Sequence, residues 1–417
     1  MNKTTGKQII LAYSGGLDTS VILKWLVNKG YIVTAFVADV GQEEDFAAVK
    51  AKALQIGATH VVVENYQEEF VNDYIFTALK SGALYEGRYL LGTSLARPLI
   101  ARKIVEYAQK FGINHIAHGA TGKGNDQIRF ELVFMQFLPD VTVIAPWKDP
   151  EFLSEFTGRT DLLNYAASNN IPVTSTLQKP YSIDENLMHC SYEAGILEDP
   201  QLTPPANMFK KTVSPQDAPN ITQHLEIEFK HGVPVKIINL TTKTTIDSSS
   251  LAIFNYLNKI GGENGIGRID IVESRFVGMK SRGVYETPGG TILFAAHQDL
   301  ETITLDREVL LIKAGAAPKV AQLIYNGFWF SPELDMLMAG INLSQKQVNG
   351  IVKLALYKGN VIIEGRVSPN SLYDFDIASM DKLGDYDQTD AKGFIKLNAL
   401  RLKKYQLQNF VITQVGS

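Results

Sequence analysis

The chain has 417 residues, with 40 Lys+Arg against 44 Asp+Glu, a formal net charge of −4 and one cysteine. At about 100–200 residues per domain, that length makes two or three domains, each able to bury its own core. A single thiol excludes an intramolecular disulfide and any metal site built from two or four cysteines. The near-even charge argues against nucleic acid held by bulk electrostatics. The apolar run 9–12 is too short for a signal segment, and no apolar stretch approaches the roughly 18–20 residues that span a bilayer. The expectation is a cytoplasmic protein with neither a membrane nor a nucleic-acid partner.

In chain order, residues 8–12 read as a buried strand, followed by a Gly-rich turn and a helix over 19–28. Its apolar Val21, Ile22, Trp25 and Leu26 share one face. A strand over 32–37, a helix over 46–54 stopped by Gly57, and a strand over 60–63 follow. After a long polar–apolar helical region come a helix over 99–111, ending before Gly112, and strands over 114–117 and 141–145. Strands alternating with helices predict an α/β domain over 1–170, a parallel sheet with helices on both faces. Ligands of such sheets bind beyond the carboxyl ends of the strands, where the two richest polar clusters of this half lie.

From about residue 170 the pattern changes. Prolines and turn residues gather between Pro172 and Pro219, reading as a linker or a loop-rich connection. Apolar runs at 225–229 and 235–240 flank His231-Gly232-Val233 as a hairpin, and a helix follows over 248–260. Residues 291–339 read as mostly helical with a break near 314–318. Paired strands over 353–357 and 361–364 and a basic amphipathic helix from 394 to about 407 complete the chain. Residues 171–417 thus read as one larger α+β domain.

Ser14-Gly15-Gly16-Leu17-Asp18-Thr19-Ser20 lies between the first strand and the first helix. Glycines let the backbone turn tightly and approach a ligand, and the first helical N–H groups point into the turn, where the helix dipole favours an anion. With three hydroxyl donors this is a phosphate cradle, although it lacks the GK[ST] ending of a P-loop and the spacing of a dinucleotide fingerprint. An ordinary βα turn capped by Asp18 is the plainer alternative. Beyond the strand at 114–117, Thr121, Asn125, Asp126 and Arg129 supply groups that complement an amino acid. A carboxylate wants a guanidinium, and an ammonium wants a carboxylate.

The 14–20 stretch resembles the SGGxD[ST]S loop of the N-type ATP pyrophosphatases. Four further segments narrow the resemblance to the argininosuccinate synthase family: Tyr89-Leu90-Leu91-Gly92-Thr93-Ser94-Leu95-Ala96-Arg97-Pro98, His118-Gly119-Ala120-Thr121-Gly122-Lys123-Gly124-Asn125-Asp126-Gln127, Ser182-Ile183-Asp184-Glu185-Asn186-Leu187 and Gly267-Arg268-Ile269-Asp270-Ile271-Val272-Glu273. The resemblance covers nearly the whole chain, from Leu11 to at least Leu402. It implies a PP-loop, adenine-nucleotide-alpha-hydrolase-like nucleotide domain over 1–170, then an α+β synthetase and multimerisation domain over 171–417 with a C-terminal helical arm. Tyr181, where many members carry Trp, and the Gly-Gly of Pro288-Gly289-Gly290 depart from the family pattern without changing a ligand position.

The implied activity condenses L-citrulline with L-aspartate at the expense of ATP, through citrullyl-AMP, with Mg²⁺ bridging phosphate oxygens and the chain assembled as a homotetramer. By the same resemblance the nucleotide is held by Ala12, Tyr13, Ser14, Gly15, Gly16, Leu17, Asp18, Thr19, Ser20, Ala38 and Gly119. L-aspartate falls to Thr121, Asn125 and Asp126. Citrulline falls to Tyr89, Ser94, Arg129, Ser182, Ser191, Glu273 and Tyr285, with Asn125 able to touch both amino acids. Taken alone, Tyr89 reads as a packed aromatic, Ser94 as a helix cap and Glu273 as a surface carboxylate. Because Glu273 and Tyr285 lie in the second half, the active site is expected between the two domains.

No residue stands out as a general base, and no dedicated metal cage is visible. Cys190, between His189 and Ser191, reads as packing, because a nucleophilic thiol needs a positioned base. Two other pyrophosphatase chemistries fit less well. A tRNA thiolase commonly requires two cysteines and a basic surface, and a glutamine-dependent synthetase needs a glutaminase domain with its own cysteine. A non-enzymatic nucleotide-binding or electron-transfer module would not require the amino-acid clusters at all.

Overall fold

The computed structural model describes residues 6–172, 181–381 and 386–415, with side chains described as far as 408. Residues 173–180, part of the expected loop-rich connection, lie outside the described residues. Packing divides the chain into two compact units, Met1–Asn370 and Ser371–Ser417.

The first unit opens with β1 (Gln8–Ala12), α1 (Leu17–Asn28), β2 (Ile32–Asp39), α2 (Phe46–Ile56) and β3 (His60–Asn65). A short helical stretch with a π-helical turn at Phe70–Ile75 leads to α3 (Gly92–Phe111), β4 (His115–Ala117), α4 (Asp126–Phe137), β5 (Thr142–Ile144) and α5 (Arg159–Ser168). The strands form one parallel sheet in the order β3-β2-β1-β4-β5, with Ile10 paired to Thr34 on one side and to Ile116 on the other. β1 is central, and its Ile9, Ile10 and Leu11 are fully buried, as the apolar run requires. The chain winds outward to β3 and returns on the far side of β1, so the switch point lies between β1 and β4.

Two antiparallel sheets follow. β6 (Ser182–Glu185), β7 (Cys190–Glu193), β11 (Arg268–Ser274) and β12 (Lys280–Glu286) make one, in the order β11-β12-β7-β6. The other, β10-β9-β8-β13-β14, contains β8 (Gln223–Lys230), β9 (Val233–Asn239), β10 (Thr244–Ile246), β13 (Gly350–Tyr357) and β14 (Asn360–Val367). Four helices complete the unit: α6 (Ser250–Glu263), α7 (Pro288–Thr304), α8 (Arg307–Tyr325) and α9 (Pro332–Gln345). In the second unit α10 (Asp390–Val415) is the long element.

Several elements differ from the sequence expectation, among them α4 (Asp126–Phe137), which arises where no helix was expected. The helix expected from 99 begins at Gly92, so Ser94 lies inside its first turn rather than before it. Pro98 lies inside this helix, where it costs only the bond to the Ser94 carbonyl. The early start is held by Asn186 Nδ2 donating to the Gly92 carbonyl at 3.2 Å and by the His189 ring, into which a Cβ at Gly92 would project at 2.4 Å. The break expected near 314–318 is absent, and α8 continues through Pro318 because its last turns bury Val320, Ala321 and Ile324. Asp306 caps α8 instead, accepting from Glu308 N and Val309 N.

One apolar core joins the halves of the first unit. Phe70, Tyr74, Leu95 and Leu99 from the first half pack with Leu225, Phe254, Leu293 and Ile324 from the second. A buried polar knot pins α7, α8 and α9: Lys313 meets Glu301 at 2.9 Å, and Gln345 bridges Glu301 (2.7 Å) and His297 (2.8 Å).

Candidate active site

The loop after β1 takes the shape the glycines permit. Gly15 has φ +74°, and a Cβ there would lie 3.1 Å from Val49 Cγ2. Gly16 caps α1 with no side-chain bond, leaving the first helical N–H groups open to a ligand. Ser14 Oγ and Thr19 Oγ1 are 3.1 Å apart, and Lys52 Nζ donates to the Gly15 carbonyl at 2.7 Å. Leu17 and Tyr13 point into the core, where the Tyr13 and Ser20 hydroxyls pair at 3.0 Å. Ala12 ends β1, and Ala38 is buried beneath the sheet near the end of β2.

The loop after β4 reaches the same place from the other side of the switch point. A Cβ at Gly119 would lie 3.0 Å from Thr19 Cγ2, so the absent side chain eases the close approach of this loop to the first turn of α1. Gln127 Nε2 ties the loop by donating to the Gly122 and Gly124 carbonyls at 2.7 and 3.0 Å, with Thr121 exposed at its tip. Asn125 Oδ1 accepts the Phe276 N–H at 3.0 Å, which leaves the Asn125 amide hydrogens as donors.

Behind this loop lies a chain of charges. Asp126 accepts from Arg97 Nε at 2.8 Å and from Arg129 Nη1 at 2.9 Å, while Arg97 also reaches Asp184 at 2.7 Å. Burial pushes the Asp126 carboxyl up, but the two guanidiniums outweigh it and hold the group below the usual carboxylate range. Thr93 Oγ1 donates to Asp184 at 3.0 Å and lies 2.9 Å from His189 Nε2. With the Thr93 proton spent on Asp184, the His189 ring carries its proton on Nε2; burial drives its pKa down to about 3, so it is neutral.

The antiparallel sheet β11-β12-β7-β6 supplies the other wall. Glu273, on β11, accepts from Tyr285 Oη at 3.0 Å and Tyr325 Oη at 2.7 Å. Burial raises its carboxyl above the ordinary value despite these donors and the nearby Arg129 and Arg275. Tyr89, buried, stacks on Tyr285 at 4.3 Å, and its hydroxyl accepts Thr93 N–H at 3.3 Å. Tyr89, Arg129, Glu273 and Tyr285 therefore form one cluster. Ser191 pairs with Tyr285 across the strands and donates to the Asp184 carbonyl at 3.2 Å. Ser94 Oγ is buried and has no hydrogen-bond partner among the described residues. Ser182 is exposed at the start of β6, opposite Glu193, and makes no bond with the cluster.

Arg97, Asp184 and Tyr325 belong to this constellation although their chemistry is silent in the sequence. The Asp126/Arg129 pair sits at i,i+3 on α4, a helix not expected from the sequence, and Arg97 and Asp184 join it only through the fold. Cys190 is fully buried, and burial pushes its thiol up to about 12, which excludes a nucleophile. Among the described residues no group of three or more His, Cys, Asp or Glu is placed to hold a metal ion, and no helix is long and apolar enough to cross a membrane.

A phosphate-type loop beside the switch point of a five-stranded parallel sheet, in a chain that also holds a buried ionic cluster, defines a nucleotide-dependent enzyme of α/β class. Two family profiles match the chain: the arginosuccinate synthase N-terminal HUP domain over residues 8–172 and the arginosuccinate synthase C-terminal domain over 181–405. The argininosuccinate synthase of Thermotoga maritima is 58% identical over 401 residues, covering 96% of this chain and 98% of that protein. Those of Bos taurus and Homo sapiens are each 55% identical, over 404 and 397 residues, covering 97% and 95% of this chain and 98% and 96% of theirs. The chain belongs to the argininosuccinate synthase family.

Proposed function

We propose that this chain is the ligase its family name describes, condensing L-citrulline with L-aspartate at the expense of ATP. Residues 1–170 act as the nucleotide-binding domain and 171–417 as the synthetase and multimerisation domain. The observation that carries the reading is the close approach of Gly119 to Thr19 at the switch point, where an added Cβ would lie 3.0 Å from Thr19 Cγ2. It supports the reading by bringing the phosphate cradle to the loop that leads into α4, whose Asp126 and Arg129 belong to the charge cluster with Arg97 and Glu273. A urea oxygen is a weak nucleophile and its carbon a poor electrophile, so activation must come first. The ureido oxygen of citrulline attacks the α-phosphorus of ATP, forming the O–P bond as pyrophosphate leaves. The amine of aspartate then attacks the ureido carbon; the C–N bond forms, the C–O bond to AMP breaks, and argininosuccinate results. This chemistry asks chiefly for alignment and for stabilisation of negative charge.

The loop Ser14–Ser20 receives the β- and γ-phosphates on backbone N–H groups and hydroxyls. Arg129 takes the citrulline carboxylate and Glu273 its ammonium, while Tyr89, Ser94, Ser182, Ser191 and Tyr285 enclose the rest. Thr121, Asn125 and Asp126 take L-aspartate, with Asn125 able to donate to either carboxylate. Asp18, in the first turn of α1, would be the carboxylate that helps hold Mg²⁺, which when bound would neutralise phosphate charge. Exposed Phe394, Ile395, Leu397 and Leu400 on α10 support assembly into a homotetramer, and a single thiol among 417 residues supports the cytoplasm.

The test is release of AMP and pyrophosphate from ATP with citrulline and aspartate, omitting each in turn. AMP release requires both amino acids, and oxygen-18 in the ureido group appears in AMP. AMP release that does not need both would overturn the reading.

A further inference from the structure

Tyr325 is the last residue of α8 and is fully buried. Its carbonyl, one of those left unpaired at a helix end, accepts from Arg129 Nε at 3.0 Å and Nη2 at 2.7 Å. A cation at that end is also favoured by the helix dipole. Gly327, at φ +90°, lets the two segments approach, because a Cβ there would lie 3.0 Å from Arg129 Cα. The Tyr325 hydroxyl meanwhile donates to Glu273 at 2.7 Å, and its ring stacks face to face on Tyr85 at 3.6 Å. Tyr85 in turn donates to the carbonyl of Ser274, beside Glu273, at 2.6 Å. One residue therefore grips a guanidinium with its backbone and a carboxylate with its side chain.

We propose that Tyr325 is a positioning residue that sets the separation of Arg129 and Glu273, and so selects the paired carboxylate and ammonium of an α-amino acid. The proposal rests on the reading that Arg129 and Glu273 hold those two groups of citrulline. Tyr325 itself touches no substrate; it acts through the two ions it holds.

The groups facing Glu273 are Tyr285 from β12, Tyr325 from α8, Arg129 from α4 and Arg275 at the hairpin turn after β11. Glu193 from β7 and the phenols of Tyr85 and Tyr89 also lie within its field. Of the two hydroxyls bonded to the carboxylate, removing Tyr325 Oη lets burial raise Glu273 further. The protonated form, which cannot pair an ammonium, then persists to higher pH.

The experiment is steady-state kinetics of full-length Tyr325→Phe against pH, which keeps the ring, the stacking and the carbonyl bond. The KM for citrulline is expected to rise about tenfold, with KM for aspartate and ATP within about twofold. The acid limb of kcat/KM for citrulline moves to higher pH. Should Tyr325→Phe not fold, 3,5-difluorotyrosine at position 325 makes a stronger donor of near-native volume, and the acid limb moves to lower pH. Glu273→Gln separates the two levels. If it leaves the citrulline KM unchanged, the underlying assignment of Glu273 is wrong. If it raises that KM while neither Tyr325 variant moves the KM or the acid limb, the positioning role is overturned.

Discussion

Tyr285 reaches Glu273 by lying back along its own strand over Gly283. A Cβ at Gly283 would fall 2.3 Å from the Tyr285 hydroxyl, the group that donates to Glu273 at 3.0 Å. Residues 281, 283 and 285 of β12 pair with 273, 271 and 269 of β11, so Tyr285 and Glu273 share one face but stand two pairs apart. Only a glycine between them lets the phenol cover that distance. Gly283→Ala is expected to evict the ring, raising the KM for citrulline about tenfold and lowering stability by about 1–3 kcal/mol, as overpacking does. Kinetics and urea unfolding read the two effects, and an unchanged citrulline KM would refute the link.

Asp126 joins the aspartate loop to Arg129, and its removal should touch both amino acids unequally. Asp126→Ala weakens aspartate directly and citrulline only through the loosened Arg129, so KM for aspartate rises more. Equal losses would contradict the assigned role.

The same residue carries a pH signature. Its folded pKa is depressed, so its stabilisation is present above the unfolded carboxyl value of about 3.9 and is lost as pH falls through the folded value. The stability advantage of the parent over Asp126→Asn is therefore expected to shrink as pH drops below about 4. Denaturant titrations between neutral and acid pH measure it.

Glu273 has the opposite sign. Its folded pKa is raised, chiefly by burial, so its ionised form is a cost to the fold that appears as pH rises through the folded value. Glu273→Gln is expected to raise the melting temperature at neutral pH, with the gain fading below the unfolded glutamate value of about 4.3. The same change weakens citrulline, so stability and binding move in opposite directions. A lower neutral-pH melting temperature would count against this account.

Gly15 tests the phosphate loop. Its left-handed φ and the close Val49 side chain make Gly15→Ala strained as well as crowded. ATP binding by calorimetry is expected to weaken by about tenfold or more, with secondary structure by circular dichroism unchanged.

Much of this protein is legible along the chain because the signals are local. Ile9–Leu11 is an apolar run and therefore a buried strand. Ser14-Gly15-Gly16 must turn tightly and open onto a helix start, and the alternation of strand and helix dictates a parallel sheet. The pairing of Asp126 with Arg129 is not legible in this way, because α4 starts directly after a Gly-rich loop. Tertiary structure decided what depends on distance through space. Arg97 and Asp184 are 87 residues apart, and Arg129 and the Tyr325 carbonyl 196, yet each pair is in hydrogen-bond contact. Pro98 and Pro318, local breakers by rule, sit inside helices because packing around Gly92 and Ile324 outweighs one lost backbone bond. Sequence determines which groups are present and what each can do. Only the fold sets which charges meet, because burial and partnership decide whether Asp126 is held ionised and Glu273 is driven toward its neutral form.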